Sequence, residues 1–288
     1  MPSANSPATP RKQTHIVPAA ASRTVAPLMP AAQIDGFSGD PNFMTSLARG
    51  LAVIQAFSTR RDPLTISHVS NKTGFSRAAV RRCLYTLAQL GFAGSDDGRH
   101  FFLRPRILAL GHSYISSMPL ASAAQPVLER VSHLLHESCS IAALDGVDIV
   151  YVARANVTRI MSIDLRVGSR LPAYCTSMGR VLLANLPPEE LESYLSRAEL
   201  TRRTGRTIVS TEKLRQVLRL VRRNGYAIVD QELEHGLRSM AVPIQNSGGK
   251  VTAALNVGAQ AQRVTILGMT NKFLPHLQDA AHELTMLV

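Results

Sequence analysis

The chain of 288 residues predicts an α+β fold in two folded parts. Apolar residues at three- and four-residue spacing recur through residues 46–90 and mark successive short helices. A turn-rich hairpin follows at 92–103. Beyond about residue 119, short apolar runs joined by tight turns alternate with amphipathic helices, which describes a mostly antiparallel sheet with helices grouped around it.

Residues 1–42 are rich in Pro, Ala, Ser and Thr and offer little apolar surface to offset ordering entropy, so they read as a disordered tail. Leu47, Leu51, Ile54 and Phe57 set a first helix over about 46–57, broken by Arg60-Arg61-Asp62-Pro63. The stretch LTISHVSNKTGFSRAAVRRCLYTLAQL, residues 64–90, then gives two helices with Gly74 at the break. Ser76 is placed to accept a bond from a free N–H of the second helix. Val80, Leu84 and Leu87 share one face of it, while Arg77, Arg81 and Arg82 lie off that stripe beside the small Ala78. Gly91 stands where a helix ends in left-handed backbone. Ser95-Asp96-Asp97-Gly98 tips a hairpin, with Arg99 and His100 on its return arm.

Three helices followed by such a hairpin make a winged helix-turn-helix over 43–104. An arginine-bearing helix of this kind suits a major groove, where guanidinium groups pair with guanine edges or phosphates. Ser76, Arg77, Ala78, Arg81, Arg82 and Arg99 are the candidate DNA-contacting residues. Charge agrees: residues 1–118 hold 13 Lys and Arg against 5 Asp and Glu, and the remainder 19 against 15.

Residues 105–118 form a linker helix able to carry a dimer contact. The second domain, 119–288, should run helix 123–136, strands 139–144 and 149–155, and a further strand at 161–165. A loop at 168–172 and a helix at 177–184 follow. Pro187-Pro188-Glu189-Glu190 opens another helix, with acids where the dipole favours them. A long amphipathic helix spans 211–224, then strands at 226–229, 237–244 and 251–257. A final helix covers 265–287, bent at Pro275.

Cys83, Cys139 and Cys175 are far apart and odd in number, which indicates neither a disulfide framework nor a zinc knuckle and fits a reducing cytoplasm. No signal peptide and no membrane-length apolar run is present. No cofactor is called for.

In LPAYCTSMGR a loop feeds directly into a helix, whose free N–H groups near Cys175, Thr176, Ser177 and Met178 suit a carboxylate. Arg166, Arg170 and Arg238 are candidate clamps, with spacing alone not choosing among them. Ser239 adjoins Arg238, and Asp230 and Asn256 are expected at strand ends near a pocket mouth. Capping alone accounts equally well for the two hydroxyls at 176 and 177. Several enzyme-like patterns fail on context. Ser247-Gly248-Gly249-Lys250 falls in a hairpin turn rather than at a helix start. Asp230, Glu232, Glu234 and His235 read as a solvated loop, and His133 with His136 as surface histidines. Cys175 lacks a partnering His motif.

The order of motifs resembles the IclR family of bacterial transcription regulators over residues 43–288. The matching stretches are SLARGLAVIQAF, TGFSRAAVRRCLYTLAQLGF, FLRPRILALG, LRVGSRLPAYCTSMGRVLLA and NGYAIVDQELEHGLRSMAVPI. SIDLRVGSRLPAYCTSMGRVLLA with HGLRSMAVPI is similar to the branch governing aromatic-acid catabolism, whose effectors are protocatechuate, 4-hydroxybenzoate or β-ketoadipate. The resemblance implies a GAF-like effector domain, a double-stranded operator and a small carboxylate effector. It also implies a homodimer or dimer of dimers, and RNA polymerase as a partner if the regulator activates. Ala78, Ala79 and Arg81 depart from the commonest family pattern, so base readout should shift toward the arginines and alanine methyls. An enzyme with an accessory basic domain, or a non-specific DNA-binding protein, are the rival functions.

Overall fold

A computed structural model describes residues 31–59, 62–116, 119–157 and 165–287. The reader begins with α1 (Ala31–Asp35) and α2 (Thr45–Gln55), the latter continuing as a 3-10 turn at Ala56–Thr59. β1 (Leu64–Thr65) leads into α3 (Ile66–Thr73), where the Thr65 hydroxyl accepts the His68 N–H at 3.2 Å. Gly74, at φ 76°, ends α3 in the left-handed conformation that L side chains resist. α4 (Arg77–Gln89) follows, then the hairpin of β2 (Ala93–Gly94) and β3 (His100–Leu103). The three short strands pair in the order β1-β3-β2.

One core holds this part together: Val53 of α2, Val69 of α3, and Val80 and Leu84 of α4 are all buried. Ile34 of α1 joins them at 1% exposure. The tail expected to run to residue 42 therefore contains a folded piece. A single isoleucine, whose burial stabilises by about 1.5–3 kcal/mol, is enough to dock one helical turn, and composition averaged over 42 residues hides it. Residues 1–30 of that expected tail lie outside the described residues.

After a 3-10 turn at Pro105–Ile107 come α5 (Leu108–Ser116) and α6 (Pro119–Leu135). The second domain is one antiparallel sheet of six strands in the order β6-β5-β4-β9-β8-β7. In chain order these are β4 (Ser138–Asp145), β5 (Asp148–Ala155), β6 (Arg170–Pro172), β7 (Ala227–Asp230), β8 (Leu237–Gln245) and β9 (Val251–Gln260). The segment 168–172, expected as a loop, thus contributes β6: Val150 and Ile149 of β5 pair with Arg170 and Leu171. The strand expected at 161–165 falls almost entirely outside the described residues.

Alternation along β8 and β9 separates the two faces of the sheet. Met240, Val242, Leu255 and Val257 pack against α6 and α11 (Leu274–Met286). Ala241 and Ala254 face the other way, toward α7 (Ser177–Ala184). α7 is buried along its whole length. It is covered in turn by α8 (Pro188–Arg197) and α9 (Thr211–Asn224), through Tyr194, Leu214 and Leu218. The final helix is not continuous. α10 (Ile266–Gly268) passes through a π-helical turn at Met269–Phe273 before α11, whose second residue is Pro275. A proline ring clashes with the preceding turn of a regular helix, and the widened turn relieves that clash. Among the described residues no helix is long and apolar enough to cross a membrane.

Candidate functional site

The recognition face is built by α4. Val80, Leu84 and Leu87 bury one stripe, and the Ser76 hydroxyl accepts the Ala79 N–H at 3.2 Å. That leaves Arg77, Ala78, Arg81 and Arg82 exposed on the opposite side. The wing is stiffened by Asp97. Its carboxylate accepts the N–H groups of Arg99 and His100 at 2.8 and 2.7 Å and pairs with the His100 ring at 2.6 Å. These bonds hold the Asp97 carboxyl well below the usual carboxylate range. One of the two tip acids is therefore part of the turn itself, and Arg99 stands exposed beside it.

The second candidate site lies at the start of α7. Gly179 lets this helix approach its own entry loop: a Cβ there would meet the Ala173 carbonyl oxygen at 2.1 Å. Thr176 is the N-cap, its hydroxyl accepting the Gly179 N–H at 3.2 Å and donating to the Pro172 carbonyl at 3.1 Å. Capping, one of the two readings open from sequence, is thus the structural role of Thr176. Ser177 differs. It is 1% exposed, and among the described residues its hydroxyl has no hydrogen-bond partner. Met178 is buried in the core around it. Cys175 is also buried, and its thiol is pushed up to about 11, chiefly by burial. It is a neutral group at ordinary pH rather than a thiolate.

Beneath α7, the sheet presents polar groups on the same face as Ala241 and Ala254. Ser239 precedes Ala241 by two residues, Asn256 follows Ala254 by two, and both are buried. Asn256 sits within β9, paired with Ser140 on one side and Ala241 on the other, not at a strand end as the sequence suggested. Its side-chain oxygen Oδ1 is buried without a partner among the described residues. An unpaired buried polar atom costs about 1–3 kcal/mol. Two such atoms, one on α7 and one on the strand it packs over, lie on facing elements of the second domain.

The nominated arginines are engaged elsewhere. Arg170 pairs with Asp145 and Asp148 at the β5–β6 edge. Arg238 bonds Asp230 at 2.7 Å and donates to the carbonyls of Ala261 and Val264. It ties β8 to the segment after β9. Asp230, shared with Arg206, is part of that tie. Arg166 is exposed, its N–H donating to the Ser169 hydroxyl at 2.8 Å.

Two features escaped the sequence. Arg154 of β5 donates to the Ser140 hydroxyl at 2.8 Å and lies 5.9 Å over the Tyr151 ring. Strict alternation would send Tyr151 and Arg154 to opposite faces. A bulge between Ile141 and Ala142 in the β4–β5 register brings them to one. The other is Arg180, 2% exposed, which makes two 2.7 Å bonds to Glu232 and one of 3.0 Å to the Tyr174 carbonyl. Glu232 also accepts the Ile208 N–H, and its own carbonyl accepts the Thr207 hydroxyl. The segment 230–235 was expected to be solvated. Glu232 corrects that, because a buried guanidinium one turn into α7 demands a buried carboxylate. An arginine at 180 in an otherwise apolar helix was the available signal.

Comparison with known proteins follows the same two-part division. Residues 46–97 match the IclR helix-turn-helix domain, and residues 112–286 match the bacterial transcriptional regulator IclR C-terminal domain. A Pca regulon regulatory protein from Pseudomonas putida is 55% identical over 256 residues, 88% of each chain. A transcriptional regulator from Rhodococcus sp. RHA1 superposes with a TM-score of 0.75 at 46% identity, covering 85% of this chain and 98% of that one. An IclR homolog from Microbacterium hydrocarbonoxydans, solved in complex with 4-hydroxybenzoate, gives a TM-score of 0.73 at 27% identity, over 84% of this chain and 98% of its own.

Proposed function

The chain belongs to the IclR family of bacterial transcriptional regulators, and we propose that it reads an operator under control of a small aromatic hydroxy acid bound at the start of α7. The observation that supports this most is two groups that are buried and, among the described residues, unpartnered: the Ser177 hydroxyl and the Asn256 side-chain oxygen. A hydroxybenzoate supplies what each lacks. Its carboxylate accepts from the Ser177 hydroxyl and suits the positive end of α7, and its phenolic hydroxyl donates to Asn256 Oδ1. Ser239, on the same sheet face, adds a further hydroxyl. The relatives point to the same chemistry: one is named for the Pca regulon and another holds 4-hydroxybenzoate.

On the DNA side, Arg81 and Arg82 read base edges while Ser76, Arg77, Ala78 and Arg99 settle the helix and wing on the duplex. The regulator family favours a site that binds its ligand, and the buried Cys175 thiol beside it is neutral rather than a thiolate nucleophile. Met44, Leu47 and Leu51, exposed on one edge at and before α2, and Leu108 and Tyr114, exposed on α5, supply the apolar surface for a second copy. Pairing through them presents two readers to a two-fold operator. Thermal melts against 4-hydroxybenzoate, protocatechuate and β-ketoadipate test the effector reading. One of these acids raises the melting temperature in proportion to log concentration, and a flat response to all three contradicts it.

A further inference from the structure

α4 carries an aromatic side chain that neither the reader's core nor its charge explains. Tyr85 is 65% exposed, the most exposed aromatic among the described residues, and it makes no hydrogen bond or ring contact among them. Helical spacing fixes where it points. Val80, Leu84 and Leu87 hold the buried stripe. At about 3.6 residues per turn, the line farthest from that stripe runs through Ala78, Arg82, Tyr85 and Gln89. All four are exposed. Tyr85 shares that line with Ala78 and Arg82, the residues proposed to settle on the duplex and read it. The arginines around it are solvated by themselves and need no apolar cover, so the ring has no task within the reader.

When a recognition helix docks in the major groove, the line opposite its own core faces the base edges. An uncharged ring there suits the apolar group the groove offers, the C5-methyl of thymine. A phosphate would use the hydroxyl alone and leave the ring in water. We propose that Tyr85 is a specificity-determining residue whose ring packs on a thymine methyl of the operator. Distance along the helix sets the register. Tyr85 lies seven residues beyond Ala78, which at about 1.5 Å per residue is about 10.5 Å. Base pairs stack about 3.4 Å apart, so the methyl lies about three base pairs from the pair that faces Ala78. Arg82 falls between the two, where a guanine suits its fork. The inference rests on α4 as the operator-contacting helix and is independent of the effector reading.

Fluorescence anisotropy of the full chain tests the proposal, on an operator duplex selected by the wild-type protein and with each thymine replaced singly by deoxyuridine to remove its methyl. One such replacement should weaken the wild type about threefold or more, and Y85A should not respond to it. Y85A itself should bind the operator about tenfold more weakly, with unrelated duplexes unaffected and the salt dependence unchanged, because no charge is lost. Y85F keeps the ring and should bind as the wild type does. Y85Q, a good helix former without a ring, should repeat the Y85A result, and both should melt as the wild type does. Operator binding by Y85A at the wild-type level overturns the proposal. So does an equal loss in Y85F, which assigns the contact to the hydroxyl. A loss shared by every duplex marks backbone contact and overturns it as well, as does a Y85A variant that still responds to the same deoxyuridine. Arg82→Ala measured in parallel separates two failures. If it too binds the operator normally, the reading of α4 falls; if it weakens binding while Y85A does not, only the Tyr85 contact falls.

Discussion

The Thr176 hydroxyl closes the first turn of α7, and the Ser177 hydroxyl beside it is buried with no partner among the described residues. Removing each therefore has opposite consequences. Thr176→Ala should lower stability by about 1 kcal/mol through loss of the cap, with effector affinity largely retained. Ser177→Ala should leave the melting temperature unchanged or raised, because it deletes an unsatisfied group, while weakening binding of the acid. Paired melting and calorimetric titrations separate the two. From sequence these hydroxyls were indistinguishable, since both are small donors at a helix start; only burial and the direction of each bond divide them. The buried thiols make a further prediction. Burial raises Cys175 from 9.0 to about 11 and Cys139 to about 12. The unfolded chain thus releases these protons at lower pH than the folded one. Their stabilising contribution is complete below about pH 9 and is lost as pH rises through 11 to 12. Urea unfolding followed from pH 8 to 11 should show stability falling above 9, less steeply in a Cys175→Ala variant.

At the scale of elements, the recognition helix was the most legible part of the chain. Ser76, the Val80–Leu84–Leu87 stripe and Gly91 are local signals, and local signals survive folding unchanged. Arg81→Ala and Arg82→Ala should each weaken operator binding by about 1–3 kcal/mol for a lost bidentate base contact. Competition with unrelated duplexes decides their role, because a loss shared by all sequences marks phosphate contact instead. α7 and its surroundings were less legible. Its boundaries followed from spacing, but its partner did not, since Arg180 and Glu232 lie 52 residues apart. Breaking that buried pair by Glu232→Ala should cost about 3–5 kcal/mol and loosen the 204–208 segment that Glu232 holds. Hydrogen exchange should rise there first. The bulge that brings Arg154 beside Ser140 was likewise invisible, because one extra residue reverses a strand's alternation without any marking residue. Spacing could not choose among Arg166, Arg170 and Arg238, and the ion pairs of Arg170 and Arg238 show why: an arginine near such a motif is as well suited to tying strands together.

For the molecule as a whole, the two parts have distinct tasks and the account links them. The reader presents arginines on a helix braced by α2, α3 and the docked α1, and the sheet domain holds, among the described residues, an unpartnered hydroxyl on α7 and an unpartnered amide oxygen on β9 beneath it. Ligand control requires that the acid bind one arrangement of the assembled readers better than another, and the shift cannot exceed that difference in affinity. Composition and charge placed the DNA-facing end in the first 118 residues without any structure, because a polyanion partner leaves its mark on net charge. How copies associate left no comparable mark, since it depends on which exposed stripes the fold sets side by side. The central claim is that occupancy at Ser177 and Asn256 governs the reader. It is tested by fluorescence anisotropy on an operator duplex selected by the wild-type protein, with 4-hydroxybenzoate titrated in. Wild type should change its operator affinity as the acid is added. The Ser177→Ala variant should bind the operator normally and fail to respond at the same acid concentrations. A Ser177→Ala variant whose operator affinity follows the acid as the wild type's does would contradict the account.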